Sequence, residues 1–266
     1  MDQEKYPTAW AFHTNTIRFP FNTLEPDYSQ PDLPYFKEYL DRPLIPLPAV
    51  TAARMSLEEA IAARLSCRRF TGEALGFVEL GTLLKNAYGV RGVVQLGHVE
   101  HHERPVPSGG GLYPLELYAL VRRVERLAAG VYHYSALSHA LEFVRDHPLP
   151  GAFLSELFMG QPYLAGAAVV FVITAVFDRN MHKYGDRGYR YVLFEAGHVA
   201  QNINLTGVSL AVGSFNLGGF FDKYLAELLM LDLRQEAPLY GIAVGAPSVN
   251  DRFEQRLPEN ETAQFL

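Results

Sequence analysis

The sequence predicts an α+β protein, and three observations carry the prediction. The chain has 266 residues, 48% hydrophobic and 20% charged, so it can bury a sizeable core in one large domain or two small ones. Residues 164–177 (LAGAAVVFVITAVF) are apolar and rich in β-branched side chains, which indicates a buried strand. Residues 189–210 are apolar at helical spacing on nearly every side, which predicts a long helix in the centre of a core or at a dimer interface.

The other elements follow from local patterns in chain order. Residues 1–50 are rich in proline and aromatic residues with little periodicity, which predicts an extended arm lying over the rest of the protein. Ser56-Leu-Glu-Glu predicts a capping box that opens a helix through about Leu65. We further expect a helix over 76–88, a polar loop over 95–107, strands over 115–123, 131–134, 141–144 and 167–177, a helix over 148–159, a strand over 211–215, a helix over 222–231 and a strand over 239–244. Residues 51–250 are then one expected domain and 251–266 a polar tail.

Charge and cysteine content exclude several classes of function. The net charge is -6, the isoelectric point is near 5.8 and no block of Lys and Arg is present, so we expect a small-molecule or peptide ligand and no nucleic acid. The apolar run is shorter than the ~20 residues that cross a bilayer, and the N-terminus lacks the basic and apolar regions of a secretory signal. Cys67 is the only cysteine, which excludes an internal disulfide and a multi-thiolate metal site. These features predict a cytoplasmic protein without a membrane partner.

Three histidine and cysteine patterns are weighed as sites and set aside. The stretch 98–103 holds three histidines but falls in the expected polar loop, without a second cluster of ligands. Glu195-x-x-His198 is half of a di-iron motif whose second pair is absent, so a buried, hydrogen-bonded His198 is expected. Cys67 lies next to Arg68, yet no Cys–His pairing is visible. The sequence therefore predicts no metal site and no cysteine nucleophile.

Lys183 and Tyr184 are the candidates for acid–base chemistry. They stand side by side just before the long helix. A phenol has an unperturbed pKa of about 10 and acts as a base near neutrality only when a close cation stabilises its anion, as Lys183 would. Neighbouring side chains point apart on a regular helix or strand, so both reach one site only if the backbone is irregular, which Gly185 allows. The alternative is an aromatic, basic helix start that packs at an interface.

Three further segments have the chemistry of an anion or planar-ligand site. Arg64 and Arg68 share one face if the first helix continues, and with Ser66 they make a phosphate clamp; the alternative is a solvated basic helix end. Residues 107–111 (PSGGG) lack side-chain bulk, so their backbone can lie against a planar ligand. Residues 216–220 (NLGGF) form a second glycine turn between a strand and a helix. The first turn lacks the Gly-Lys-Ser/Thr ending of a nucleoside-triphosphate loop and the strand-loop-helix context of a dinucleotide fold.

Together these motifs resemble the nitroreductase-like flavoprotein superfamily over about residues 50–250. They occur in the order Arg-x-Ser-x-Arg-x-Phe, Pro-Ser-Gly-Gly-Gly-Leu-Tyr-Pro, Lys-Tyr-Gly-x-Arg-x-Tyr-Arg-Tyr with Glu-Ala-Gly-His, and Leu-Gly-Gly-Phe. Within the superfamily the chain is most similar to the SagB-type azoline oxidases, dehydrogenases that form thiazoles and oxazoles. The resemblance implies a mainly antiparallel sheet between helices, in an intertwined homodimer with FMN at the subunit interface. The helix over 189–210 would be the dimer core.

The resemblance also implies roles for individual residues. In FMN binding, Arg64, Ser66 and Arg68 would hold the ribityl phosphate and pyrimidine edge, Pro107, Ser108, Gly109 and Gly110 would lie along the isoalloxazine, Gly218 and Gly219 would meet its N5 edge, and Arg252 would contact the phosphate. Lys183 and Tyr184 match the Lys-Tyr pair that azoline oxidases use in catalysis. Leu65 stands where many flavin reductases carry a basic residue, and Gly218 where some carry an acidic one. These departures put nicotinamide-driven nitro reduction in doubt.

The implied function is FMN-dependent oxidation of a thiazoline or oxazoline ring to the azole in peptide natural-product biosynthesis. The expected substrate is a heterocycle-containing peptide or a carrier-bound equivalent, and a biosynthetic synthetase complex is an expected partner. Two alternatives stay open. One is an NAD(P)H-dependent nitro or quinone reductase, and the other is a docking subunit that keeps the fold without catalysis.

Overall fold

A seven-stranded antiparallel sheet is the central element of the computed structural model, which describes residues 2–19, 34–52, 55–97 and 99–248. The helices are α1 (Pro7–Asn15), α2 (Leu57–Ala63), α3 (Phe77–Tyr88), α4 (Gly151–Leu157), α5 (Asp178–Tyr184), α6 (Arg187–Ser209) and α7 (Asp222–Leu229). The strands are β1 (Leu44–Pro46), β2 (Gly92–Leu96), β3 (Val99–Glu103), β4 (Leu115–Val121), β5 (Gly130–Ser135), β6 (Ala140–Arg145), β7 (Val169–Val176), β8 (Gly213–Leu217) and β9 (Glu236–Gly245). The sheet has the order β1-β6-β5-β4-β7-β9-β8, and β2 and β3 form a separate hairpin.

Helices cover both faces of the sheet. Side chains alternate along a strand, so Leu115 and Leu117 of β4 face the core formed with α3 and α6, whereas Tyr118 and Leu120 face the core formed with α4 and α7. The same alternation buries both faces of β7, which explains why residues 164–177 are apolar without interruption. The predicted fold class, a mainly antiparallel α+β sheet between helices, is confirmed.

Most predicted elements appear within a few residues of their expected bounds. The capping box is present, because Glu59 N donates to Ser56 Oγ at 3.2 Å and Ser56 N donates to Glu59 Oε2 at 2.7 Å. The long helix α6 buries one side against the sheet. On its outer side Leu193 is 42% exposed and Phe194 is 59% exposed. Burial within one chain therefore explains only part of the predicted distribution of apolar residues around α6.

The prediction of an extended arm over residues 1–50 is wrong for residues 7–15, which form α1. Pro7 stands at the start of the helix, where its missing N–H removes no hydrogen bond. No side chain of α1 is buried, so selection for a core has left no apolar periodicity in this segment. Residues 20–33 of the predicted arm lie outside the described residues.

The prediction of a polar loop over residues 95–107 is wrong in part. Residues 99–103 form β3, which pairs with β2 and places His102 opposite Val93 and His101 opposite Val94. Val93 and Val94 are 54% and 39% exposed, so the hairpin lacks the alternation of buried and exposed side chains that identifies a strand in a sequence. The short helix α5 is also additional to the predicted elements. Among the described helices, none combines the length and apolar character needed to cross a membrane.

Candidate functional site

The glycine-rich loop makes a single turn over Gly109–Gly111 just before β4. Gly110 and Gly111 have φ values of +69° and +68°, in the left-handed region that L side chains rarely adopt, so these glycines are required by the backbone. Asn180 of α5 donates from Nδ2 to the Gly109 carbonyl at 3.2 Å. The loop is thereby fixed against α5.

Lys183 and Tyr184 meet this loop at one point. They are the last two residues of α5, and Gly185 follows with φ of +56°, the irregular backbone that the sequence predicted. A Cβ built on Gly110 would lie 2.7 Å from Tyr184 Oη and 3.1 Å from Lys183 Nζ. Lys183 Nζ lies 5.5 Å from the centre of the Tyr184 ring. Both side-chain ends therefore lie against the same bare backbone.

A buried ion pair anchors α5 to the sheet. Arg179 Nη1 donates to Glu116 Oε1 at 2.6 Å, and the ring of His133 lies between Glu116 (Nε2···Oε2, 3.0 Å) and Glu142 (Nδ1···Oε2, 2.6 Å). Burial disfavours the charged forms of His133 and Glu116. The carboxylates of Glu116 and Glu142 nevertheless raise the pKa of His133. In turn, His133 and Arg179 lower the pKa of Glu116 to about 2. A charged cluster thus fixes the helix whose last turn carries Lys183.

The N-terminal segment reaches the same end of α5 from outside. Arg18 Nη2 donates to the Tyr184 carbonyl at 2.7 Å, and Arg187 of α6 donates to the Thr16 carbonyl at 2.8 Å. These contacts tie residues that follow α1 to the joint between α5 and α6. The carbonyl of Tyr184 is therefore held by Arg18, and the segment that carries Arg18 is itself tied to α6.

Glu195 lies behind the glycine-rich loop and is 1% exposed. Its Oε1 accepts a hydrogen bond of 2.6 Å from Tyr88 Oη, which in turn accepts from Leu115 N at 3.1 Å. Burial raises the pKa of Glu195 to about 7, although the hydroxyls of Ser108 and Tyr88 and the charge of Arg104 act in the opposite direction. Ser108 is thus close enough to lower the pKa of the Glu195 carboxyl. Within the described residues, however, Glu195 Oε2 has no hydrogen-bond partner.

The second set of predicted residues lies beside the edge strand β8. The helix ends at Ala63 and Arg64 is already extended, so the continued helix on which Arg64 and Arg68 would share one face is not formed. Ser66 instead forms a parallel bridge with Ser214, and Cys67 N donates to the Ser214 carbonyl at 2.8 Å. Ser66 and Arg68 are thereby brought beside β8, where Ser66 pairs with Ser214 and Arg68 lies over the Phe215 ring.

The turn at Gly218 and Gly219 directly follows β8. A Cβ on Gly218 would meet no atom within 4 Å, and one on Gly219 would lie 3.0 Å from Met159 Sδ. Arg68 places its guanidinium 5.0 Å from the centre of the Phe215 ring on the same strand. Asn216 has a buried Oδ1 without a hydrogen-bond partner among the described residues, next to this open backbone.

The predicted residues therefore form two clusters rather than one. The loop cluster is Pro107–Gly110 with Lys183 and Tyr184, and the strand cluster is Arg64–Arg68 with Gly218 and Gly219. The loop cluster contacts α6 at Tyr191 and the strand cluster contacts it at Asn204, through Ser214. These positions are about 20 Å apart along the axis at ~1.5 Å per residue. A cavity of about 640 Å³ between α4 and α7 is lined by residues of neither cluster.

Some predicted positions are corrected and others lie outside the structure's description. His198 is exposed rather than buried, because α6 turns Glu195 and not His198 toward the core. Arg252 and the tail over 251–266 lie outside the described residues. In the described part of the chain no three His, Cys, Asp or Glu side chains are grouped to hold a metal ion.

Sequence reasoning missed four residues that pack around the loop cluster, namely Tyr88, Arg104, Asn180 and Glu195. Tyr88 and Asn180 carry no motif of their own and are identified only by their contacts. Glu195 did carry a signal, since a carboxyl at a core position of a long apolar helix needs a specific partner. It was set aside as half of a metal motif.

Comparison with known proteins places the chain among oxidoreductases. The Nitroreductase family matches residues 61–246. A "putative nitroreductase" of Methanocaldococcus jannaschii is 37% identical over 191 residues, which are 72% of this chain and 91% of that protein. The microcin B17-processing protein McbC of Escherichia coli is 36% identical over 145 residues, 51% of this chain and 52% of McbC.

A solved structure is similar to nearly the whole chain. One chain of the E. coli microcin synthetase McbBCD complex, determined with truncated pro-MccB17 bound, superposes with a TM-score of 0.60 at 28% identity. The match covers 93% of this chain and 95% of that chain. With its sheet, its glycine-rich loop and the family match over residues 61–246, the chain belongs to the nitroreductase family, and within that family it resembles the SagB-type proteins.

Proposed function

We propose that this chain is an FMN-dependent azoline oxidase that converts thiazoline or oxazoline rings of a peptide, free or carrier-bound, to the aromatic azole. The observation that carries the proposal is the meeting of Lys183 Nζ and Tyr184 Oη at Gly110. A phenol and a cation thus lie at a stretch of backbone without side chains, which can lie along a planar ligand. The likeness to McbC and to the McbBCD complex supports a peptide substrate and a biosynthetic assembly.

The residues of both clusters fit FMN. Gly110 has no side chain and a left-handed backbone that Lys183 and Tyr184 approach closely, and the backbone at Gly218 is open to a ligand edge. The buried Oδ1 of Asn216 lacks a donor within the described residues, and a ring N–H would supply one. Arg64, Ser66 and Arg68 offer guanidinium and hydroxyl donors that suit a phosphate, and Arg252 is proposed to join them.

In the proposed reaction Tyr184 removes a proton from the azoline ring, and Lys183 favours the phenolate that accepts it. Two electrons and a second proton must also leave the ring to make the azole. Bound FMN supplies the acceptor for this hydride equivalent, with dioxygen as the final oxidant. Arg179 and Arg18 hold α5 and the Tyr184 backbone, so the phenol is positioned before substrate arrives.

The separation of the two clusters supports a site built between two copies of the chain. The loop cluster and the strand cluster contact α6 at positions about 20 Å apart. Within one chain the two clusters therefore lie toward different ends of this helix. The outer side of α6 exposes Leu193 and Phe194, and the neighbouring α2 exposes Leu57 and Ile61. Burial of these side chains by a second copy would explain why α6 is apolar on nearly every side.

The alternative is an NAD(P)H-dependent nitro or quinone reductase, which the likeness to the M. jannaschii protein favours. The first test is the colour of the purified protein and the absorbance of FMN released on denaturation. The second compares oxidation of an azoline-containing peptide, followed by the loss of two mass units, with oxidation of NADPH in the presence of a nitroarene. We expect bound FMN and azole formation. Nicotinamide oxidation without azole formation would favour the reductase over the azoline oxidase. A colourless protein that takes up no FMN would favour a docking subunit.

A further inference from the structure

A cavity of about 30 Å³ lies beside the glycine-rich loop. Among the described residues that line it, none belongs to the loop cluster or to the strand cluster, so the cavity is separate from the proposed FMN site. Residues 35 and 36 form one part of its wall. The loop contributes Gly111 and Tyr113, and β3 with the residue that follows it contributes Glu100, His101, His102 and Arg104.

Arg104 brings a buried positive charge to this cavity. The residue is 5% exposed. Its guanidinium carbon lies 5.0 Å from the centre of the Tyr113 ring and 5.1 Å from that of the Phe36 ring, and both rings line the cavity. Nε and Nη1 of Arg104 are buried and have no hydrogen-bond partner within the described residues. Because a buried cation without an acceptor is strongly unfavourable, a group that accepts hydrogen bonds is expected at this point.

The buried carboxyls nearby do not supply that acceptor. Glu116 and Glu195 both lie within reach of the charge of Arg104. Glu116 accepts instead from Arg179 Nη1 at 2.6 Å, and Glu195 accepts from Tyr88 Oη at 2.6 Å. Neither carboxyl accepts a hydrogen bond from Nε or Nη1 of Arg104. The ligand that fits these two atoms must therefore come from outside the described chain.

The lining offers more hydrogen-bond donors than acceptors. Tyr113 Oη accepts from Arg104 N at 3.2 Å, and its O–H can still donate. A neutral imidazole donates through one ring nitrogen, so His101 and His102 add two donors to the wall. Among the described lining residues Glu100 carries the one carboxylate, and Glu100 is exposed. A positive charge surrounded by donors attracts an anion.

The size of the cavity restricts the class of anion. A water molecule occupies about 30 Å³ in the liquid, so the cavity holds a particle of roughly that size and excludes phosphate and organic acids. Water itself fits the donors less well, because it needs acceptors for its own two protons. A halide ion is only slightly larger than water and accepts hydrogen bonds without donating any.

We propose that this cavity is a binding site for a small monatomic anion, chloride or bromide, held by Arg104 and Tyr113 beside the glycine-rich loop. The anion balances the charge of Arg104 and joins the end of β3 to the loop at Gly111 and Tyr113. Residues 98–103 have the histidines of a possible metal site, but the arginine that the structure places beside them repels a metal cation. The proposal does not depend on the proposed function, because none of these residues is assigned to FMN or to the azoline.

The test is thermal unfolding of the full chain at pH 7 and constant ionic strength, with sodium gluconate replaced stepwise by sodium chloride or sodium bromide. We expect Tm to rise by about 2–4 °C and then to level off, because a ligand that binds only the folded state stabilises it by mass action. Arg104→Gln removes the charge, so its Tm should not respond to halide. Arg91→Gln is the matched control, since Arg91 is exposed just before β2, and its response should equal that of the wild type.

Crystals of the wild-type protein soaked in sodium bromide give a second measurement that needs no variant. An anomalous bromide peak within hydrogen-bonding distance of Arg104 Nε or Nη1 would support the proposal even if Arg104→Gln does not fold. A water molecule at that position in bromide would overturn it, as would equal halide responses of wild type and Arg104→Gln. FMN uptake is measured separately. Halide binding without FMN would contradict the proposed function alone, and FMN binding without a halide response would contradict the anion site alone.

Discussion

Tyr184 and Lys183 are adjacent in the chain, but their proposed roles differ in a way that substitution separates. Tyr184→Phe removes only the phenolic oxygen, so folding and FMN binding should persist while azoline oxidation falls about 10²–10⁴-fold, the usual cost of losing a general base. Lys183→Ala should act mainly through the phenol. The double variant should then be little slower than Tyr184→Phe, because residues that act as one unit are not additive.

The measurement is turnover of an azoline peptide by protein with its FMN content verified. Tyr224→Phe is the matched control, since Tyr224 is 64% exposed on α7 and lies in neither cluster. Near-wild-type oxidation by both single variants would contradict the proposed role of Tyr184 as the base. It would not contradict the proposed FMN site.

Single residues show where sequence reasoning succeeds and where it stops. The pairing of Lys183 with Tyr184 was predictable because Gly185 permits an irregular backbone directly after them. Asn180 was not predictable, because its bond to the Gly109 carbonyl joins segments about seventy residues apart in the chain. Contacts of this kind leave no local pattern in one sequence.

At the scale of elements, α5 owes its position to the ion pair between Arg179 and Glu116. Both side chains are buried, 3% and 4% exposed. Removing one partner of a buried pair leaves an uncompensated charge and costs about 3–5 kcal/mol. Arg179→Met should therefore lower the free energy of unfolding by that amount at pH 7, measured by urea denaturation. Arg234→Met is the control, since Arg234 pairs with Asp232 at the surface and such pairs contribute only about 0–1 kcal/mol.

The ion pair between Arg179 and Glu116 also predicts how the free energy of unfolding changes at acid pH. The folded pKa of Glu116 lies near 2, below its ordinary value of 4.5, so its contribution is complete above pH 4.5 and is lost as the pH falls toward 2. Without Arg179 the pKa of Glu116 should rise, and Arg179→Met should lose less stability than wild type over this range. Equal losses in the two proteins would show that His133 alone controls Glu116.

Two of the elements missed from the sequence, α1 and the β2–β3 hairpin, share one physical property. α1 buries no side chain and the β2–β3 hairpin exposes Val93 and Val94, so neither needs the periodic apolar residues that core packing imposes. Strands β4 to β9 and α6 were predictable because they do bury such residues. The break after Ala63 was missed for a different reason. Arg64 takes its extended conformation from pairing of the following residues with β8, a contact that local propensity does not contain.

At the scale of the whole molecule, the two clusters raise the question of which copies of the chain form one site. Each chain carries one loop cluster and one strand cluster, whose contacts lie about 20 Å apart along α6. In a two-fold dimer the loop cluster of one copy can face the strand cluster of the other, and both sites are then equivalent. A defect in each cluster, placed on different copies, distinguishes this arrangement from a site within one chain.

We expect chains carrying Arg68→Ala and chains carrying Tyr184→Phe to restore activity when combined. Arg68→Ala should release FMN, since it removes a charge-assisted contact to phosphate, and Tyr184→Phe should bind FMN but turn over slowly. A heterodimer isolated through two different affinity tags would contain one site with both defects and one with neither. Its activity after removal of free FMN should be about half that of the wild-type dimer. If each site lies within a single chain, every site keeps one defect, and the mixed dimer should be no more active than its parents. A protein that stays monomeric with FMN bound would exclude the shared site directly.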